Sequence, residues 1–156
     1  MSGTAAAEFY PSIAATGFGR LLGRAMNVLP IPVGRVRLSH VVMAPVVIPF
    51  AVAAYVVQKV TGSYYRLTAD AVEEWPMIGR QPKETVRLSQ IDTAEVTVHG
   101  GQAFFHAGDV VVRGGGETLL TLRGVVRPER VAAAIRDAAV THGRTAEIQE
   151  RVRQRA

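Results

Sequence analysis

The chain has 156 residues, 48% of them apolar and 20% charged, a balance that excludes disorder along its length and allows one domain, or one small domain plus an anchor. It contains no cysteine, which excludes disulfide scaffolds, thiolate-held zinc, iron–sulfur clusters and thiol catalysis. The net charge of +5 is unevenly spread: residues 1–62 carry five basic groups against Glu8 alone, residues 63–142 carry nine against ten acidic, and residues 143–156 carry four arginines against Glu147 and Glu150. A nucleic-acid binder places its basic stripe on the folded domain. Here the excess flanks an apolar run, which points to an anionic membrane surface and away from nucleic acid.

In chain order, residues 12–29 come first. Phe18, Leu21, Leu22, Ala25 and Leu29 recur at helical spacing with Arg20 and Arg24 beside them, the pattern of a helix lying in a membrane interface or packed on a domain. The arginines argue against reading Gly19 and Gly23 as a spanning small-residue motif. Residues 29–34 (LPIPVG) end that helix.

Residues 41–57 (VVMAPVVIPFAVAAYVV) are seventeen in a row without charge or amide. Extended to 38–57 the run predicts a transmembrane or membrane-inserted helix, with Arg35 and Arg37 before it, Lys59 after it and Tyr55 at the interfacial end. A buried core segment, or a late signal peptide with Ala51-Val52-Ala53 as its cleavage site, are the alternatives. Pro45 and Pro49 leave both a kinked span and a re-entrant hairpin open. Arg20, Arg24, Arg35, Arg37 and Lys59 are the candidate headgroup contacts.

After Gly62 the period falls to two. Tyr65 and Leu67 alternate with Tyr64, Arg66 and Thr68. Residues 72–78, then Val86 with Leu88, then Ala94 with Val96 and Val98, read as further strands, and the parity slips at Ile91-Asp92-Thr93 as at a turn or bulge. Trp75 reads as a core anchor. Residues 110–113 and 119–122 form a hairpin around Gly114-Gly115-Gly116. Pro128 and Glu129 open an amphipathic helix with Val131, Ala134, Ile135 and Ala138 on one stripe, expected to stop near His142-Gly143. Residues 145–156 read as a solvated basic extension. The fold class expected is mainly β: a small antiparallel barrel or sandwich capped by a C-terminal helix, with a membrane-associated helical segment at 1–62, the domain at 63–142 and a basic tail at 143–156.

The ordered set Tyr65-Arg66-Leu67-Thr68, Val86-Arg87-Leu88-Ser89-Gln90-Ile91, Gly108-Asp109 opening a strand, and Pro128 through Ile135 on the last helix resembles the bacterial pleckstrin-homology (PH-like) domain of small membrane proteins, over residues 62–142. The resemblance implies two nearly orthogonal sheets capped by a helix, on the cytoplasmic side of a bacterial inner membrane, with no enzyme activity and no catalytic residues. It departs from the family in showing one good span where two are common. The near-neutral domain does not support carrying over inositol-phosphate binding.

His99 and His106 flank residues 100–105 without a carboxylate or thiol to complete a metal set. The scattered carboxylates propose no general acid and base. Phe104 and Phe105, an apolar pair in a glycine-rich loop, either cover the barrel mouth or meet a membrane or partner, and are the candidate interaction loop. The expectation is a non-enzymatic, membrane-anchored module for protein interaction or scaffolding, self-association included. The alternative is a small-ligand or lipid-headgroup binder at the barrel mouth. No cofactor or metal is expected.

Overall fold

A computed structural model describes residues 7–25, 32–33 and 36–155, with the side chains at 13, 25, 32, 33, 36–44, 46, 47, 51, 54 and 58 outside the described set. In chain order the elements are β1 (Ala7–Phe9), α1 (Gly17–Ala25), β2 (Pro32–Val33), β3 (Val36–Arg37), α2 (Leu38–Thr61), β4 (Ser63–Leu67), β5 (Ala71–Pro76), β6 (Glu84–Arg87), β7 (Thr93–Thr97), β8 (Ala107–Gly114), β9 (Glu117–Val126) and α3 (Pro128–Arg155). Short 3-10 turns occupy Ile13–Ala15, Leu88–Gln90 and Ala103–Phe105. Seven strands form two antiparallel sheets, β1-β4-β5-β6 and β7-β8-β9, and β2 pairs with β3 as a small hairpin.

Period-two alternation puts Tyr65 and Leu67 of β4 inward and Tyr64 and Arg66 outward. Val72, Val86, Leu88 and Ile91 meet Val110, Val112, Leu120 and Leu122 from the second sheet. Val131, Ala132 and Ile135 of α3 close the core. Tyr65 fastens the two sheets directly: its hydroxyl donates to the Thr121 carbonyl at 3.4 Å and accepts from the Arg123 N–H at 3.0 Å. The hairpin between β8 and β9 turns on Gly115 and Gly116, both with positive φ, as the glycine run requires.

Several expectations are corrected. The first sheet begins before residue 62: β1 adds to the edge of β4 with Ala7 opposite Leu67 and Phe9 opposite Tyr65. The strand through Val86 does not continue past Arg87: Leu88 opens a 3-10 turn that the Ile91 N–H closes on the Leu88 carbonyl at 3.2 Å. Trp75 is not in the core. It is half-buried on the outer sheet face, where β5 places it opposite Tyr64. The last helix does not stop at His142-Gly143 but runs on to Arg155. A mid-helix glycine costs only about 1 kcal/mol, and most residues beyond it (Ala146, Glu147, Gln149, Glu150, Arg151) are strong helix formers with local support: Gln154 donates to Glu150, and Arg153 lies beside Glu150.

The apolar run is helical over 24 residues, about 36 Å at 1.5 Å per residue, and passes through Pro45 and Pro49 without reversing as a hairpin. The expected transmembrane span itself is not supported: among the described residues no helix is long and apolar enough to cross a membrane. A dozen of the 24 side chains, including those at 38–44, lie outside the described set.

Candidate functional site

The interfacial helix expected over 12–29 is shorter, Gly17–Ala25, and one face of it is docked on the sheet domain; residues 26–31 lie outside the described residues. Gly19, Leu22 and Gly23 are buried, while Phe18 and Leu21 remain exposed. Glycine is needed at position 23 because a Cβ there would overlap the Gly101 carbonyl oxygen and press on the Phe105 ring. Gly101, at φ +93°, in turn leaves no room for a side chain against the Arg20 carbonyl. Gly23 therefore serves packing between helix and loop.

This docking decides where the candidate interaction loop lies. Phe104 and Phe105 are half-buried, edge to face with centroids 5.0 Å apart. Phe105 packs toward α1 and lines a cleft of about 630 Å³ with His106, Arg127, Pro128 and Glu129. His106 and Arg127 both adopt positive φ, and the Arg127 N–H donates to the His106 carbonyl at 3.0 Å. These are the only non-glycine residues with positive φ among those described, and both line the cleft.

Beneath the loop sits a buried polar pin that the sequence reading missed. Asp109 Oδ1 accepts from Gln102 Nε2 and from the Gly124 N–H, both at 2.7 Å, and Gln102 Oε1 accepts from the His99 N–H at 2.7 Å. His99 Nε2 lies 3.4 Å from Asp109 Oδ2, so His99 completes this network. Gly124 takes φ +59° and approaches Ala15 too closely for any side chain, while its carbonyl accepts from the Ser12 N–H at 2.8 Å. One carboxylate thus holds the 99–106 loop, β9 and the N-terminal segment together. Among the described residues no group of three or more His, Asp or Glu side chains could hold a metal ion.

The second surface lies where α2 enters the domain. Every described side chain of α2 is exposed. Ile48, Val52 and Val56 make one row, and Phe50 and Val57 flank another beside Ala53. Phe18 of α1 meets Phe50 edge to face at 6.3 Å, and an apolar groove runs between the two helices past Ala53 and Val57. Of the expected headgroup contacts, Lys59 and Arg24 are exposed and Arg20 is half-buried. Arg35 and the Arg37 side chain lie outside the described residues. Lys59 Nζ sits 5.6 Å from the Tyr55 ring centroid, and the Arg24 guanidinium lies over Gly100.

Next to that helix end, the outer face of the first sheet is aromatic. Tyr10 stacks on Tyr64 at 5.6 Å, and Arg66 lies 5.7 Å from the Tyr64 ring and 5.0 Å from the Trp75 ring. Arg66 also pairs with Glu8 at 3.1 Å, and Trp75 Nε1 donates to Glu73 at 2.6 Å. Hydrogen bonds from Tyr10 first and Arg66 second hold the Glu8 carboxyl below its ordinary value. The alternating residues of β4 and β5 signal this face, but its closure by Tyr10 depends on β1, which carries no strand pattern long enough to read.

No protein-family model matches the chain, and no characterised protein matches it in sequence.

Proposed function

We propose that this chain is a membrane-anchored, PH-like, non-enzymatic module that presents its sheet domain to protein partners at a bilayer surface. The observation that carries the reading is α2: its apolar side chains Ile48, Phe50, Val52, Val56, Val57 and Val60 are exposed on a single helix that runs straight into β4. Water does not tolerate such a surface, whereas lipid does. Lys59, exposed beside Tyr55 near the domain-proximal end of α2, and exposed Arg24 on α1 suit anionic headgroups. The edge strand β6, with Glu84, Thr85 and Arg87 exposed, is better placed for a partner than the Phe104-Phe105 loop, whose Phe105 is engaged with α1.

Flotation of the full chain with vesicles at about 1 M salt, where charge attraction is screened within about 3 Å, tests the anchor. The chain is expected at the top of the gradient with the vesicles; recovery at the bottom removes the anchor. Photo-crosslinkers at Thr85 and at Phe104, in membranes, test the partner surface. Adducts from Thr85 exceeding those from Phe104 support the edge, and absence of adducts from both positions removes the interaction role.

A second reading rests on the cleft beside Phe105. His106 and Arg127, held in a conformation side chains rarely adopt, place an imidazole and a guanidinium at its rim, where a small anionic headgroup would fit. Loss of soluble headgroup binding on Arg127→Ala tests it, and no binding by the unaltered chain removes it.

A further inference from the structure

The turn between β5 and β6 carries a surface that the anchor does not use. Ile78, at its tip, is 74% exposed, more than any other large apolar residue among those described. The turn is fixed beside the end of α2 from both of its arms: the Met77 N–H donates to the Gly62 carbonyl at 2.9 Å, and Lys83 Nζ donates to the Ser63 hydroxyl at 2.7 Å. Gly79 lies over the Pro76 ring so closely that a Cβ there would overlap it, which makes the tip compact and preset.

Charge and aromatic residues surround this tip. Arg80 and Lys83 are exposed on it. Lys83 is partly offset by Glu74 at 3.9 Å, and Glu84 follows, so the patch is mixed in charge with an apolar apex. Tyr10, Tyr55, Lys59 and Met77 line a groove of about 400 Å³ between the tip and α2, and Tyr64 and Trp75 continue from Tyr10 across the sheet. Tyrosine and tryptophan rings beside cations and an exposed aliphatic side chain are the composition of a bilayer interface.

We propose that this turn is a second membrane contact: Ile78 enters the headgroup–acyl boundary while Arg80 and Lys83 meet anionic headgroups. The inference rests on the reading of α2 as a bilayer segment, since the groove lined by Tyr10, Tyr55, Lys59 and Met77 joins α2 to the turn and brings both to the same bilayer. Two contacts would fix the tilt of the domain over the membrane, leaving the β8–β9 turn, with Gly115 at φ +61° and Gly116 at φ +83°, facing away.

The test uses the full chain. Because it has no cysteine, Ile78→Cys accepts a single environment-sensitive fluorophore, and Glu117→Cys beside the β8–β9 turn serves as the distal control. Both are reconstituted into phosphatidylcholine vesicles with a minority of phosphatidylglycerol, with and without bromine on the acyl chains near the headgroup. At position 78 the emission shifts to the blue and loses roughly half its intensity to bromolipid, and at 117 it does neither. A chain that floats with vesicles while the probe at 78 emits as in water overturns the second contact and leaves the anchor standing. A blue shift without bromolipid quenching also overturns it, and assigns the turn to a protein surface, a second copy included. A chain that does not float removes the anchor and this inference together.

Discussion

Removing the Asp109 carboxylate is expected to be among the most damaging single changes in the sheet domain. Asp109→Ala leaves two buried donors, Gln102 Nε2 and the Gly124 N–H, without the oxygen that accepts both at 2.7 Å. An unsatisfied buried donor costs about 1–3 kcal/mol, so the pair costs about 2–6 kcal/mol. Asp109→Asn keeps an oxygen at Oδ1 and loses only the charge assistance, about 1 kcal/mol. Urea unfolding of the detergent-solubilised chain reads the difference through Trp75, the single tryptophan. With a slope of about 2 kcal/mol per M, the Ala variant should unfold roughly 1–3 M earlier and the Asn variant roughly 0.5 M earlier. Equal midpoints for the two variants would refute the claim that the shared oxygen is the pin.

Two further outcomes follow from the same packing. Burial pushes the Tyr65 hydroxyl up to about 12, with the Arg123 N–H opposing it. Because the folded state holds this proton more tightly than the unfolded chain, its stabilisation is intact below pH 10 and is lost as pH rises toward 12; two units correspond to roughly 2–3 kcal/mol. Tyr65→Phe should cost about 1–2 kcal/mol at neutral pH and flatten that alkaline fall, which pH-dependent urea midpoints measure. Gly23→Ala forces a Cβ into the Gly101 carbonyl, at about 1–3 kcal/mol, and should raise proteolysis within α1 while Gly17→Ala, which meets nothing within 4 Å, should not.

Much of the sheet domain was legible because β4, β5, β7, β8 and β9 each carry alternation or a glycine turn strong enough to fix their place. What escaped were contacts distant in sequence. The three residues of β1 are too few to show a period, and their place comes from Glu8 meeting Arg66 and Tyr10 meeting Tyr64. The arginines beside Gly23 set aside a spanning motif, but its need for glycine stayed hidden because its partner, the Gly101 carbonyl, is 78 residues away. Trp75 read as core because size and apolarity suggest burial, whereas the parity of β5 turns it outward toward Arg66. Asp109 sits in a strand like any polar interruption, and only the φ of Gly124 and the fold of the 99–106 loop make it a shared acceptor. Glycine at 143 read as a helix end because a glycine commonly marks one, but the helix formers after it carry α3 onward.

Whether α2 lies in lipid is tested most directly by alkaline carbonate extraction of membranes holding the full chain beside its Ile48→Asp/Val52→Asp variant. Both positions are exposed, and an aspartate near the middle of a bilayer costs roughly 2.5–3.5 kcal/mol, whereas an aspartate on a water-exposed helix costs little. Truncation at Gly62 is not a substitute, because it removes β1 and α1 from the folded domain. A lipid-embedded α2 puts the unaltered chain in the membrane pellet and the double variant in the supernatant. An unaltered chain that washes out, or a variant that extracts like its parent, would contradict it.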